Sequence, residues 1–473
     1  MKKQSRTQTV MRNAAFITFS SSVSQFIMAV TGIYLVRYLG LSLYSEYSTA
    51  MLFMGVLGVF GRLGFERLFL RECSKDNSEI PYYFSGVLLL NGGLAVIGWA
   101  AALVIAYFRY DSRVFILTVI LGTSLLLMTQ QAMSTMVFQA TQKIHFTATV
   151  SLITSLSYMT AFFIALYFKA SVFVMASLHL GMNLLAFLLS YSISLYLAFP
   201  RFSLPILKKI IRLGKPFVMI SIMSILYFQA VSFILAFLDM KEQVGIFNAA
   251  FRLFVLVQFI AMAVDTATSP AIYHASDEPE RMAQGVKLAI RYFTVSGIFL
   301  AVVFIGRADW LMVTVFKEEF ARSALILKIL GGAVAFRYMT SILQHVIYGM
   351  NEERYIMQLL SFLVVFPIVC AIIWIPRYGA LAASLIFLFC EICMGLGCLI
   401  KCEILLNKPG LWKCFIWPAV AGVATGLFLL AMGAWPVTGL LLSPLVFGGI
   451  LLATGYYQWD EMKFLAVTFM KSR

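Results

Sequence analysis

The chain has 473 residues, 61% of them hydrophobic and 12% charged, with a formal net charge of +15. Soluble globular domains carry about 25% charged residues, so the composition excludes an ordinary soluble fold and indicates an all-α polytopic membrane protein. The basic residues are spread over short loops, with no basic block interleaved with aromatics, which excludes nucleic acid as a partner and matches the positive-inside bias.

The chain begins MKKQSRTQTVMRNAAF, a basic start without a cleavage site, and the apolar run continues to Val36. It reads as a retained first span rather than a signal peptide. A helix needs about 20 residues to cross about 30 Å of hydrocarbon. Runs of that order lie near 13–36, 47–70, 82–106, 114–138, 147–168 and 172–197. A basic segment, AFPRFSLPILKKIIRLGKP, separates them from runs near 217–238, 246–270, 290–306, 322–348, 356–375 and 379–400. Two more follow near 414–432 and 438–457, about fourteen in all. With the N-terminus inside, about two thirds of the 36 Lys and Arg face inward, so both termini are expected in the cytoplasm. The longest outer loop is expected at 307–321, as a surface-lying turn. No loop is long enough to house a soluble catalytic domain.

The chain repeats itself at an offset of 200: Arg12 falls on Arg212, Ser24 on Ser224, Tyr47 on Phe247 and Ala50 on Ala250. Two pseudo-symmetric six-helix units are therefore expected, residues 1–200 and 201–405, followed by two extra helices in 406–473. Parallel repeats of this kind are a transporter architecture.

Enzyme signatures are missing. No G-x-x-x-x-G-K-[ST] loop occurs. The seven cysteines and four histidines form no spacing that binds a metal, and no Ser–His–Asp set is legible. No cofactor is expected, and the chain reads as a transporter rather than an enzyme.

The first hairpin is more specific. Asn13, Arg37, Leu39–Gly40, Tyr47–Ser48 and Ala50, with VGIFNAAFRL at 244–253 and WIPRYGALAASL at 374–385, resemble the polysaccharide transporter family. These are the O-antigen-type flippases of the multidrug/oligosaccharidyl-lipid/polysaccharide (MOP) superfamily. Ser45 stands where that family usually has glycine, and the acidic residue its members often carry early in the seventh span has no counterpart in FQAVSFILAF. The resemblance implies two lobes around a central cavity and alternating access. It further implies movement of a polyprenyl-pyrophosphate-linked glycan across a bacterial cytoplasmic (inner) membrane, for O-antigen, capsule or exopolysaccharide synthesis. H⁺ or Na⁺ coupling, and polysaccharide polymerase machinery as a partner, are part of the same expectation. In related flippases such extra helices help form a groove for the lipid tail, and membrane lipid is an expected partner. A cation-coupled multidrug or metabolite exporter on the same scaffold is the alternative.

An ionised side chain at mid-membrane costs at least about 2.5–3.5 kcal/mol, so it should face protein or water. Arg252 in the eighth span and Arg337 in the tenth are candidate contacts for a pyrophosphate, which arginine binds through paired donors. Lys328, nearer the outer end of the tenth span, is a third. Each has a plainer reading, as a structural ion pair or a snorkelling cation. Asp265 and Glu391 are candidate coupling carboxylates or partners of those arginines. Arg62 and Arg67, at the inner end of the second span, would recruit an anionic substrate or simply anchor the helix. Ser24, Gln25 and Gln130 would bind sugar hydroxyls or pack helices.

Overall fold

The computed structural model describes residues 6–57, 65–73, 76–141, 143–274, 279–350 and 352–456. Among them the secondary structure is helical throughout, without a strand. In chain order the helices are α1 (Arg6–Leu57), α2 (Phe65–Cys73), α3 (Ile80–Arg109), α4 (Ser112–Ala140), α5 (His145–Tyr167), α6 (Val172–Leu197) and α7 (Leu204–Phe237). They continue with α8 (Lys241–His274), α9 (Pro279–Phe316), α10 (Ser323–Gly349), α11 (Glu353–Leu405), α12 (Ile416–Ala431) and α13 (Pro436–Ala453). Ten segments of the described residues are long and apolar enough to cross a membrane.

Two expected hairpins contain no loop. Expected spans one and two meet inside α1 at Gly40, with φ 69°, and spans eleven and twelve meet inside α11 at Gly379, with φ 54°. Both φ values lie where a side chain is strained and glycine is not. A single residue that kinks the helix by itself leaves its neighbours hydrogen-bonded, as a lipid environment demands.

Two boundaries differ from expectation. Residues 307–321 are not an outer loop: α9 runs on to Phe316 and is followed by a 3-10 turn at Glu318–Phe320. The cause is Arg307, which is buried at 5% exposure with its guanidinium held by protein rather than water. Likewise α7 starts at Leu204, with a proline in its first turn, well before the expected 217.

The chain forms two compact units, Met1–Asn248 with Ile368–Ala380, and Ala249–Pro367 with Leu381–Arg473. In the first unit, α1 meets α5 through Ser155 Oγ donating to Ser24 Oγ (3.2 Å). α4 meets α6 through Asn183 Nδ2 donating to Ser124 Oγ (2.7 Å) and through Ser194 with Ser134 (3.2 Å). Small polar contacts of this kind substitute for the hydrophobic driving force that lipid removes. Tyr83, Phe84, Leu68, Phe69, Val137 and Ile210 form a buried core among α2, α3, α4 and α7. Above it Lys209 pairs with Glu72 (3.3 Å) and Glu79 (3.7 Å). At the other end, Tyr110 Oη donates to the Ala236 carbonyl and Lys241 bridges Asp111 at 2.6 Å. That bond and charge hold the exposed Asp111 carboxyl below the usual carboxylate range.

In the second unit α9 and α10 pack almost backbone to backbone: a Cβ at Gly331 would lie 3.1 Å from the Ala301 carbonyl oxygen. α12 and α13 pack on α9, with Gly422 against Ile298 and the Phe299 and Phe447 rings 5.4 Å apart.

Candidate substrate site

The second unit gathers most of the charges that sequence places inside spans. α8, α10 and the second half of α11 are fastened to one another. Tyr338 on α10 is 1% exposed and its hydroxyl donates to the Val257 carbonyl of α8 (2.6 Å). Phe251 and Phe254 of α8 close on Phe387 of α11 with centroids 5.4 and 5.3 Å away, both edge-on. Gly395 of α11 lets Met339 approach so closely that a Cβ there would lie 2.6 Å from its methyl. These contacts leave little freedom to the charged residues between them.

Arg337 sits next to Tyr338, and its Nη1 lies 3.9 Å from Glu391 Oε1 on α11. The Glu391 side chain is completely buried while that of Arg337 keeps 25% exposure. At 3.9 Å the contact is an ion pair longer than a hydrogen bond. Of the ion pairs that the sequence allows between Arg252 or Arg337 and Asp265 or Glu391, the structure brings together Arg337 and Glu391. A fully buried carboxylate in a span is costly unless compensated, and the partly exposed Arg337 guanidinium is one compensating charge. Arg252 projects from α8 one residue beyond Phe251, half-buried, in the same helix trio.

Lys328 is placed differently. It lies nine residues before Arg337, about 13 Å along α10 at 1.5 Å per residue. Its ammonium is 2.7 Å from Asp309 of α9, whose side chain is 76% exposed. Lys328 thus balances a solvent-side carboxylate at the end of the helix pair.

In the first unit Ser24 is buried and bonded to Ser155, a helix-packing contact. Gln25 and Gln130 are half-buried. Gln130 fills the notch over Gly92 of α3, where a Cβ would lie 2.5 Å from its Nε2. Arg62 lies outside the described residues. Arg67 and Asp265 fall on α2 and α8, but their side chains lie outside the described set.

Two anchoring groups have no signal in the sequence. Arg307 Nη2 donates to the Met432 carbonyl (3.0 Å) in the turn between α12 and α13, and Gly439 leaves room for the guanidinium. Its partner is a main-chain oxygen, which no residue pattern reveals. Glu403 accepts from the Gly410 and Trp412 amides (3.2 and 3.3 Å) and orders the link from α11 to α12. Its acidic character alone suggests nothing of this. Among the described residues no three His, Cys, Asp or Glu side chains cluster as metal ligands.

Comparisons with known proteins agree with this architecture. The lipid II flippase MurJ in an inward closed conformation superposes with a TM-score of 0.72 at 16% identity, over 92% of this chain and 97% of that one. An inward-facing multidrug resistance MATE transporter of the MOP superfamily gives 0.65 at 14%, over 82% and 96%. A mutant of the Vibrio cholerae MATE transporter VcmN gives 0.58 at 13%, over 87% and 100%. At such identities the likeness is one of fold. No curated protein matches the sequence. The family model described as "Polysaccharide biosynthesis protein" matches residues 10–276, more than half of the chain. The chain, a multi-pass membrane protein whose fold is similar to that of these proteins, therefore belongs to the polysaccharide biosynthesis protein family.

Proposed function

We propose that this protein is a flippase that carries a polyprenyl-pyrophosphate-linked oligosaccharide repeat unit across the bacterial cytoplasmic membrane, for O-antigen, capsule or exopolysaccharide assembly. The observation that carries the reading is the Arg337–Glu391 pair, a loose 3.9 Å contact deep in a helical unit with the arginine partly exposed. A guanidinium held this way can turn its paired donors to a pyrophosphate. Arg252, on the neighbouring helix, is the second headgroup contact, and Lys328 a weaker third because it already balances Asp309. Gln25 and Gln130 offer hydrogen bonds to sugar hydroxyls, with Ser24 behind them. Arg62 and Arg67 recruit the anionic substrate at the cytoplasmic face, where both termini lie. Family membership supports a polysaccharide-linked cargo, and the fold shared with a lipid II flippase supports a lipid-linked one.

The transport cycle in this reading is alternating access without ATP, between repeats formed by residues 1–200 and 201–405, with 406–473 added to contact the lipid tail. Tyr47 and Phe247, and Ala50 and Ala250, related by the repeat, are all buried, as equivalent positions should be. Glu391 and Asp265 are the candidate H⁺ or Na⁺ sites. When the substrate takes Arg337, the Glu391 carboxylate loses part of its counter-charge and its affinity for a cation rises. A cation-coupled exporter of small molecules is the second reading, favoured by the same buried carboxylate.

Deletion of the gene, followed by chemical analysis of accumulated lipid-linked sugar, tests the assignment. Complementation with Arg252→Ala and with Arg337→Ala should restore export poorly at normal protein levels. Full export by the double variant would remove both residues from the site. Efflux of a cationic dye with no change in surface polysaccharide would favour the exporter.

A further inference from the structure

The first three turns of α7, residues 204–214, present two unlike faces. On one, Ile210 is fully buried in the core of the first unit, and Leu207 and Ile210 press on Gly86 of α3. Lys209 belongs to this side, where Glu72 and Glu79 compensate its charge. The other face holds Leu204, Lys208, Ile211 and Arg212, which at 3.6 residues per turn fall within a sector of about 100°. All four are exposed, as are Arg201 and Phe202 in the link just before the helix. The Arg201 amide donates to the Pro81 carbonyl of α3 (3.0 Å), which fixes that link in place. Among the described residues Arg201, Lys208 and Arg212 have no carboxylate within ion-pair reach, and residues 198–216 contain no Asp or Glu. The same face is also apolar: Phe202, Leu204 and Ile211 are 60, 51 and 47% exposed, an unfavourable arrangement in water. Its depth is set by α7 itself. The apolar run of α7 opens at Phe217, so Arg212 and Lys208 lie about 8 and 14 Å before it along the helix. A headgroup layer is about 5–8 Å deep, and its charge is felt for about 8 Å more at physiological salt.

We propose that this face of α7 is a docking surface for anionic phospholipids of the adjoining bilayer leaflet. Phe202, Leu204 and Ile211 sink among the glycerol and upper acyl groups, and Arg201, Lys208 and Arg212 collect the phosphates. Two independent features select a lipid surface. Three unneutralised cations select negative charge, and large apolar side chains interleaved with them select an interface that is apolar a few ångströms below its charge. An acidic protein surface in water would answer the cations alone. Lys209 is the contrast within the same helix: it points the other way and its charge is already taken. On the orientation expected from the Lys and Arg bias, the lipid belongs to the cytoplasmic leaflet. The surface uses no residue of the candidate substrate site, so the inference stands whichever substrate the protein carries.

The test uses the full chain in nanodiscs of equimolar phosphatidylglycerol and phosphatidylcholine, with trace analogues of each headgroup that carry a photoactivatable group at the top of the acyl chain. Labelled peptides should include 201–214, with the phosphatidylglycerol analogue favoured there. Arg201→Gln, Lys208→Gln and Arg212→Gln should each lower that preference about five-fold, the effect of one cation at the membrane surface. Thermal unfolding, which depends on the buried face, should stay unchanged in all three. In 1 M salt, where the screening length falls to about 3 Å, the preference should largely vanish. Leu204→Gln combined with Ile211→Gln should instead reduce labelling of 201–214 by both analogues. Equal labelling by the two headgroups, or an unchanged preference in the triple cation variant, overturns the proposal. So does the absence of label from 201–214, which would leave this face to an acidic protein surface.

Discussion

Gly245, in the first turn of α8, is the position where a single methyl group is expected to act most sharply. It lies under Ser45 of α1, the residue that replaces the glycine usual in the resembling family. A Cβ at 245 would sit 2.0 Å from Ser45 Oγ, 3.1 Å from Ser45 Cβ and 3.2 Å from a methyl of Leu41. Ser45 Oγ can rotate away, but it donates to the Leu41 carbonyl at 2.6 Å, and giving up that bond costs about 0.5–1.5 kcal/mol. The two Cβ contacts remain tight after the rotation, so overpacking adds to a total of about 1–3 kcal/mol. Against this, alanine is a better helix former than glycine by about 1 kcal/mol. Gly245→Ala should therefore destabilise the protein by a net amount of about 0–2 kcal/mol, and Gly245→Ala with Ser45→Gly should recover most of it. A double-mutant cycle on SDS-induced unfolding in mixed micelles measures the coupling directly. A coupling near zero, or a single variant more stable than the parent by the full helix-propensity gain, would show that α1 and α8 do not meet at this point.

Other outcomes follow from the same geometry. Glu391→Gln should be tolerated better than Arg337→Ala, because the latter leaves a buried carboxylate short of a counter-charge, worth about 3–5 kcal/mol in comparable sites; SDS unfolding midpoints of the two variants decide the order. Lys328→Ala should cost under about 1 kcal/mol, since its bridge to Asp309 is exposed, and should leave export near normal in the complementation assay. Arg307→Ala should cost about 1.5–3 kcal/mol through the lost charged bond to Met432 and should loosen α12–α13, read as faster proteolysis in the 432–435 turn. The Asp111 carboxyl, lowered by Lys241, contributes stability that is fully present above the unfolded value of about 3.9 and fades as pH falls through the lower folded value. A ¹³C titration of Asp111 should show a midpoint below that value, returning toward it in Lys241→Gln.

The all-helical membrane architecture was legible in the sequence because apolar length is a strong signal in membrane chains, although ten segments of the described residues, against about fourteen expected, are long and apolar enough to span. What failed was local. The stretch 307–321 reads as polar, yet Arg307 is swallowed by a turn more than a hundred residues away, and hydropathy counts a guanidinium as wet wherever it lies. The site was legible in part. Arg337 and Glu391 were visible as charges that no interface could accept, and the helix trio brings them together. That Lys328 is engaged by Asp309, or Ser24 by Ser155, depends on helix rotation, which spans this uniformly apolar do not encode.

The break at Gly379 has a further consequence. The Ala380 amide that opens the new helical segment is taken by Gln243 Oε1 at 3.1 Å, and a Cβ at Gly379 would collide with that same side chain at 2.7 Å. One glycine and one amide group therefore do the work of an entire connecting segment. Topology mapping by epitope or protease-site insertion should find residues 376–382 silent: foreign sequence placed there would expel the glutamine and strand a main-chain donor, so the absence of a signal would report a sealed corner rather than a misassigned membrane side.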